Sequence, residues 1–354
     1  MQHPNDKIER SLIRIAAWTL GIIILLVAGG IFAHSSYRAW QERRLVAQAN
    51  ALVNEGNLKR ASLDARRLLQ INPDSAEGCR IMARISERGG ARAAVEWRRR
   101  VVELAPGNVD DLIALARAAH RFDDPASRDF ALSRLPEGAK ASADYQALAA
   151  DLAMARGDAA ALEEHLREAV RLDPSRKENV LRLATLQLAS TDDGKRAEGR
   201  KTLLEFQNDP ATRREATRRL AQDAYVRRNH SDAVELARQL DSFPEKTFTD
   251  RLLLLSVLQA AGDSGVQALL EETKASSLQE PDRIGELISW MNSQQMQQDA
   301  IAWAAQLPPE VLGQKGVPIA LSDSYIGARD WAGMLRIVSQ GNWGSIDFIR
   351  SALA

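Results

Sequence analysis

Catalytic and metal-binding chains usually betray themselves through a few side chains at fixed spacing, and in these 354 residues the histidines come first. There are five, His3, His34, His120, His165 and His230, and no two stand at metal-ligand spacing. The pair Glu163-Glu164 sets carboxylates beside His165, but on an Ala-rich predicted helix this reads as an exposed face. The single cysteine, Cys79, lies on an apolar helix face and reads as a small core residue rather than a nucleophile. No HExxH, no CxxC pair, no GxxxxGK[ST] and no GxGxxG opening a helix after a strand is present. No catalytic, cofactor or metal site is therefore expected, and no enzymatic activity.

The remaining chemistry is electrostatic. Lys and Arg number 47 against 47 Asp and Glu, so the formal charge is zero, and 38 of the basic residues are arginine. A nucleic-acid binder usually carries a basic excess, so no nucleic-acid partner is expected. Aromatic residues make up 5%, low for a protein that stacks bases or builds a sugar cleft. The neutral sum hides segregation: residues 241–354 hold 8 basic and 14 acidic side chains, leaving 39 against 33 for residues 1–240. Charges separated along an elongated chain act locally, because physiological salt screens beyond about 8 Å.

Two kinds of element must position these residues. The first is the run 15–33, IAAWTLGIIILLVAGGIFA, without charge or proline. As a helix it spans about 28 Å, the hydrocarbon thickness of a bilayer. Arg14 bounds it on one side and Tyr37 and Trp40 follow on the other, where aromatic rings favour the interface. A cleavable signal peptide is the competing reading, but its apolar core is shorter, and Ile31 stands where a small residue is preferred before the cleavage site. A transmembrane helix is expected, with residues 1–14 as a short basic tail and 34–41 as a juxtamembrane linker. Lys7, Arg10 and Arg14 before the span nearly balance Arg38, Arg43 and Arg44 after it. A short basic N-terminus usually stays in the cytoplasm, which carries the rest of the chain across.

The second element is a repeat. From Leu45 a predicted helix runs to a break at Gly56-Asn57, a second helix carries Ala61, Ala65 and Leu68 on one face, and Pro73 ends it. Alanines that let paired helices approach mark the period at Ala61, Ala94, Ala197, Ala233 and Ala300, spaced 33, 103, 36 and 67. Breaks recur at Gly89-Gly90, Gly157-Asp158, Asn229-His230, Gly262-Asp263 and Arg329-Asp330-Trp331, and ends at Pro106, Pro174, Pro210, Pro244 and Pro308. Two repeats depart: one replaces the break with Phe122-Asp123-Asp124-Pro125, another carries the insertion Thr191-Asp192-Asp193-Gly194. Nine repeats of about 34 residues fill 42–342. Trp343 to Ala354 opens like one further helix, a partial or capping element.

This pattern resembles the tetratricopeptide repeat, and with the N-terminal span the layout is similar to membrane-anchored tetratricopeptide proteins of Gram-negative bacteria. The resemblance implies an all-α fold, an N-terminal transmembrane helix followed by an α-α superhelix of about nine helix-turn-helix repeats. It further implies protein or peptide ligands along the concave face formed by the first helix of each repeat. Counting repeat positions places Asn50, Val53, Arg117, Arg121, Asp151, Met154, Arg182, Arg218, Gln222, Tyr225, Ser289 and Asn292 toward that face. Arg117, Arg121, Arg182 and Arg218 suit carboxylates or phosphates, or else are solvated arginines of amphipathic helices. Some cochaperone members clamp a carboxylate with Lys and Asn four apart; Val46 and Asn50 stand there, so that activity is not carried over. Another family of similar layout ends in a zinc module needing two CxxC pairs, which one cysteine cannot supply. Trp97, Trp303 and Trp331 fall at packing positions.

The expectation is a single-pass bacterial inner-membrane scaffold for protein–protein interaction, with its repeats on the periplasmic side. The rival is an accessory subunit that positions substrate for a cell-envelope or polysaccharide-assembly enzyme.

Overall fold

Hairpins of antiparallel helices need a residue that reverses the chain, and here a left-handed backbone conformation supplies it. Gly56, Gly90, Asp123 and Gly157 have positive φ, and so do Arg228, Gly262, Gln295 and Arg329. Within each set of four the spacing is 34, 33 and 34 residues. The residue after the reversal commonly caps the second helix. Asn57, Asp124, Asp158 and Asn229 each accept a hydrogen bond from the backbone N–H three residues on.

The computed structural model describes residues 37–38, 40–280, 282–313, 316–340 and 343. The predicted tail 1–14, the apolar run 15–33 and residues 344–354 lie outside the described residues. Among the described residues no helix is long and apolar enough to cross a membrane. These residues are helical throughout, joined by turns, and contain no strand.

They divide into two compact units that meet in sequence between Ser175 and Arg176. The first holds four hairpins: α1 (40–54) with α2 (Leu58–Ile71), α3 (Ala76–Arg88) with α4 (Ala93–Leu104), α5 (Val109–Arg121) with α6 (Pro125–Leu132), and α7 (Ala143–Ala155) with α8 (Ala159–Leu172). A 3-10 turn, Glu137–Ala141, joins the last two. The second unit holds five: α9 (Lys177–Leu188) with α10 (Asp193–Phe206), α11 (Arg213–Val226) with α12 (His230–Ser242), α13 (Phe248–Ala261) with α14 (Val266–Ser277), α15 (Asp282–Ser293) with α16 (Gln297–Ala304), and α18 (Val317–Gly327) with α19 (Trp331–Gln340). A short helix, α17 (Pro309–Leu312), precedes the fifth hairpin.

The departing repeats now have a physical description. Phe122-Asp123-Asp124-Pro125 is a full hairpin turn in which Asp123 takes the left-handed position, Asp124 caps α6 and Pro125 starts it, where a missing N–H costs nothing. The insertion at Thr191 lengthens α10 at its start, with Asp192 as its cap. The register of the small residues shifts with it. Ala197 is exposed, contrary to the expected packing role, and Gly199 is buried instead. A Cβ on Gly199 would lie 2.5 Å from the Ala184 carbonyl oxygen and 2.7 Å from the Leu188 nitrogen, so α9 and α10 touch through backbone. From Gly199 to Ala233 is 34 residues, one period.

Ala61, Ala94, Ala233 and Ala300 are all fully buried. Around the first of them Ala49, Val53, Ala65, Leu68 and Ile81 form a continuous core. Val53, expected on the ligand-facing surface, is only 1% exposed and belongs to that core. The second unit's last hairpins close over Ile284, Leu287, Met291, Trp303 and Leu321. Trp303 packs as expected, and Trp97 lies half-buried against the first core. Trp331 does not pack: it is 63% exposed at the start of α19. Cys79 is buried, and burial pushes its thiol pKa up, which disfavours the reactive thiolate.

Candidate functional site

The first helices of successive hairpins are linked by polar side chains about one repeat apart. In the first unit Arg80 grips Asp111 with both arms of its guanidinium, at 2.9 and 2.7 Å. Arg84 donates to Asn50 Oδ1, and Arg88 to the Val53 carbonyl. Arg117 reaches the Asp144 carbonyl at 3.3 Å and its carboxylate at 3.5 Å. Arg121 is exposed, its guanidinium 5.5 Å from the Phe122 ring centroid. On α7, Asp151 is half-buried and Met154 exposed.

The second unit repeats the device with greater burial. Asp250, at 0% exposure near the start of α13, accepts from Arg218 Nε at 2.6 Å, from Arg214 Nη1 at 3.3 Å and from the Thr247 backbone N–H at 2.8 Å. Thr247 and Asp250 also form a capping box. Burial alone would raise the Asp250 pKa, but the hydrogen bonds from Arg218 and Thr247 outweigh it and hold the carboxyl below its ordinary value. Burial likewise opposes the Arg218 charge, and Asp250 prevails in raising its pKa. Arg218, a candidate for ligand carboxylates, thus has its carboxylate within the chain. Gln222 is half-buried and accepts from Arg219 at 3.5 Å, and Tyr225 packs against the core around Ala224 and Leu254. Arg182 is half-buried on α9. Asn292 donates to the Ala320 carbonyl at 2.8 Å and accepts from Ser324 Oγ at 2.8 Å. Asn50, Arg117, Arg218 and Asn292 therefore contact a neighbouring repeat, while Arg121 and Met154 stay exposed; sequence positions could not reveal partners some 30 residues away.

Ser289 is different. It is exposed and lines a groove of about 770 Å³ whose walls come from α13 and α15, with the residue before α18 at one end. Thr249 and Leu252 contribute from α13, Asp282, Gly285, Glu286 and Trp290 from α15, and Gly316 closes the end. Trp290 is fixed by its indole N–H, which donates to Ser256 Oγ at 2.7 Å, while Ser256 donates to the Leu252 carbonyl at 2.9 Å. A Cβ on Gly285 would come within 2.9 Å of the Gly316 carbonyl carbon, so this helix position admits the backbone before α18 only as glycine. Sequence reading found Ser289 but missed Asp282, Gly285 and Glu286 on the same helix, and Gly316, whose close approach to Gly285 no local pattern encodes.

Such a groove has an apolar floor, an acidic wall and an open side, which suits it to holding a chain segment. Among the described residues no three of His, Cys, Asp and Glu are placed to hold a metal ion.

Neither a protein-family profile nor a curated protein matches the chain. Solved structures do. The human IFIT1 dimer with PPP-AAAA is 16% identical, with 83% of this chain and 70% of that one aligned at a TM-score of 0.56. A monomeric IFIT1 mutant with Gppp-AAAA is 15% identical over 78% and 68%, with a TM-score of 0.51. The pilF protein of Pseudomonas aeruginosa is 14% identical over 67% and 92%, with a TM-score of 0.36. At such identities the likeness concerns architecture, and the architecture of this chain is the tetratricopeptide-repeat fold.

Proposed function

We propose that this chain is a membrane-anchored scaffold that binds segments of partner proteins along the first helices of its repeats, without a catalytic step of its own. The observation that carries the reading is the open groove over α13 and α15, a side-chain-lined trough able to take an extended segment. The uncharged run 15–33 supports the anchor, and the short basic segment before it supports a cytoplasmic N-terminus with the repeats in the periplasm of a bacterial cell. Site-specific photocrosslinking in the full-length protein tests the binding role. A photoreactive residue at Ser289 should capture a discrete partner, whereas one at Lys201, on the second helix of its hairpin, should not. Capture at neither site, or equally at both, overturns the proposal.

A further inference from the structure

Three carboxylates at or just before the starts of α11 and α13 are answered from the preceding repeat. Asp250 takes Arg218 and Arg214, Glu245 takes Arg213 at 2.7 Å, and Asp209 takes Lys177. Asp282 and Glu286 break this habit. They stand four apart on α15, hence on one face, both are exposed, and among the described residues neither has a cationic partner. Two like charges at this spacing disfavour the helix that carries them. The helix dipole accounts for Asp282, which lies in the first turn, but not for Glu286 in the second. The glycine between them, Gly285, leaves the space above the helix to the backbone at Gly316 rather than to a neutralising side chain.

The surroundings narrow the occupant. Leu252 and Trp290 provide apolar surface beside the carboxylates, and among the described residues no lysine, arginine or histidine lines the groove. A divalent cation would need further ligands, and no third His, Cys, Asp or Glu joins them among the described residues. The wider region agrees in sign, with 8 basic against 14 acidic residues over 241–354. Building on the scaffold reading, we propose that this groove receives a lysine- or arginine-bearing segment of a partner protein, its cation between Asp282 and Glu286 and an adjoining apolar side chain on Leu252 and Trp290.

The test uses full-length protein in detergent micelles and a fluorescein-labelled peptide, Leu-Lys-Lys-Leu-Lys-Lys, with Leu-Glu-Glu-Leu-Glu-Glu as its opposite. Fluorescence anisotropy should show binding of the lysine peptide alone. D282N/E286Q should weaken it at least tenfold, and L252A severalfold. D299N/E310Q removes two exposed charges from the same region outside the groove and should change affinity by less than twofold. Thermal melts verify that each variant is folded. Failure of the wild type to bind, or equal weakening by the two charge-removing pairs, overturns the inference. Crosslinking at Ser289 separates the two levels: capture that persists in D282N/E286Q defeats the cation-binding inference alone, while no capture in the wild type defeats the scaffold reading.

Discussion

At the scale of single residues, the decisive facts are pairings that no local pattern encodes. Arg218 stood out in the sequence as a cation on a first helix, and its role emerges only with Asp250, 32 positions later. Removing one member of a buried ion pair leaves the other uncompensated, so D250N should lower unfolding free energy by roughly 3 kcal/mol in urea titrations. The pH dependence has a defined sign. Because the folded Asp250 pKa lies below its unfolded value, its stabilisation is fully present above the unfolded carboxyl pKa of about 3.9 and is lost as pH falls through the folded value. The loss of wild-type stability below pH 4 should therefore be shallower in D250N, and identical acid limbs would refute the assignment. Cys79 was legible because a small apolar thiol amid apolar spacing has few other places to go, whereas Trp331 misled: its aromatic bulk suggests burial, yet it sits exposed at a helix start.

Elements were more legible than residues, since turns are written in short strings. Gly56-Asn57, Gly157-Asp158 and Gly262-Asp263 state both the left-handed reversal and the polar residue after it. Where the reversal falls on Asp123, Arg228, Gln295 or Arg329 the backbone is the same but the sequence signal fades. This makes a reciprocal prediction. R228G should raise stability by about 0.5–1 kcal/mol by relieving the left-handed strain, and G157A should cost about 1 kcal/mol, both read from denaturant midpoints. Equal signs for the two variants would contradict the turn assignment. The α9–α10 hairpin was misread because the insertion moved its contact from Ala197 to Gly199, which only the interhelix distance exposes. There G199A forces two backbones apart and should cost about 1–3 kcal/mol, while A197G, at an exposed site, should cost no more than about 1 kcal/mol.

For the whole molecule, the period of the hairpins among the described residues could be read from sequence, while the division at Ser175 could not: no change in repeat spelling marks it. The proposed anchor belongs to this scale too. A reporter active only outside the cytoplasm, fused after Ala354, should be active, and a cytoplasm-only reporter at the same place inactive; the reverse pattern would invert the proposed topology. Charge distribution adds a link between scales, because an acidic groove within an acidic stretch should bind a basic segment less well as salt rises.

The Asp250 cluster has a consequence for how the second unit opens. Its carboxylate is shared by α11 and α13, so local unfolding of either helix strands a charge in the other. In native-state hydrogen exchange, slow amides of α11 and α13 should open with one common free energy rather than in succession. D250N should split them into two classes, turning one cooperative block into two that fluctuate separately.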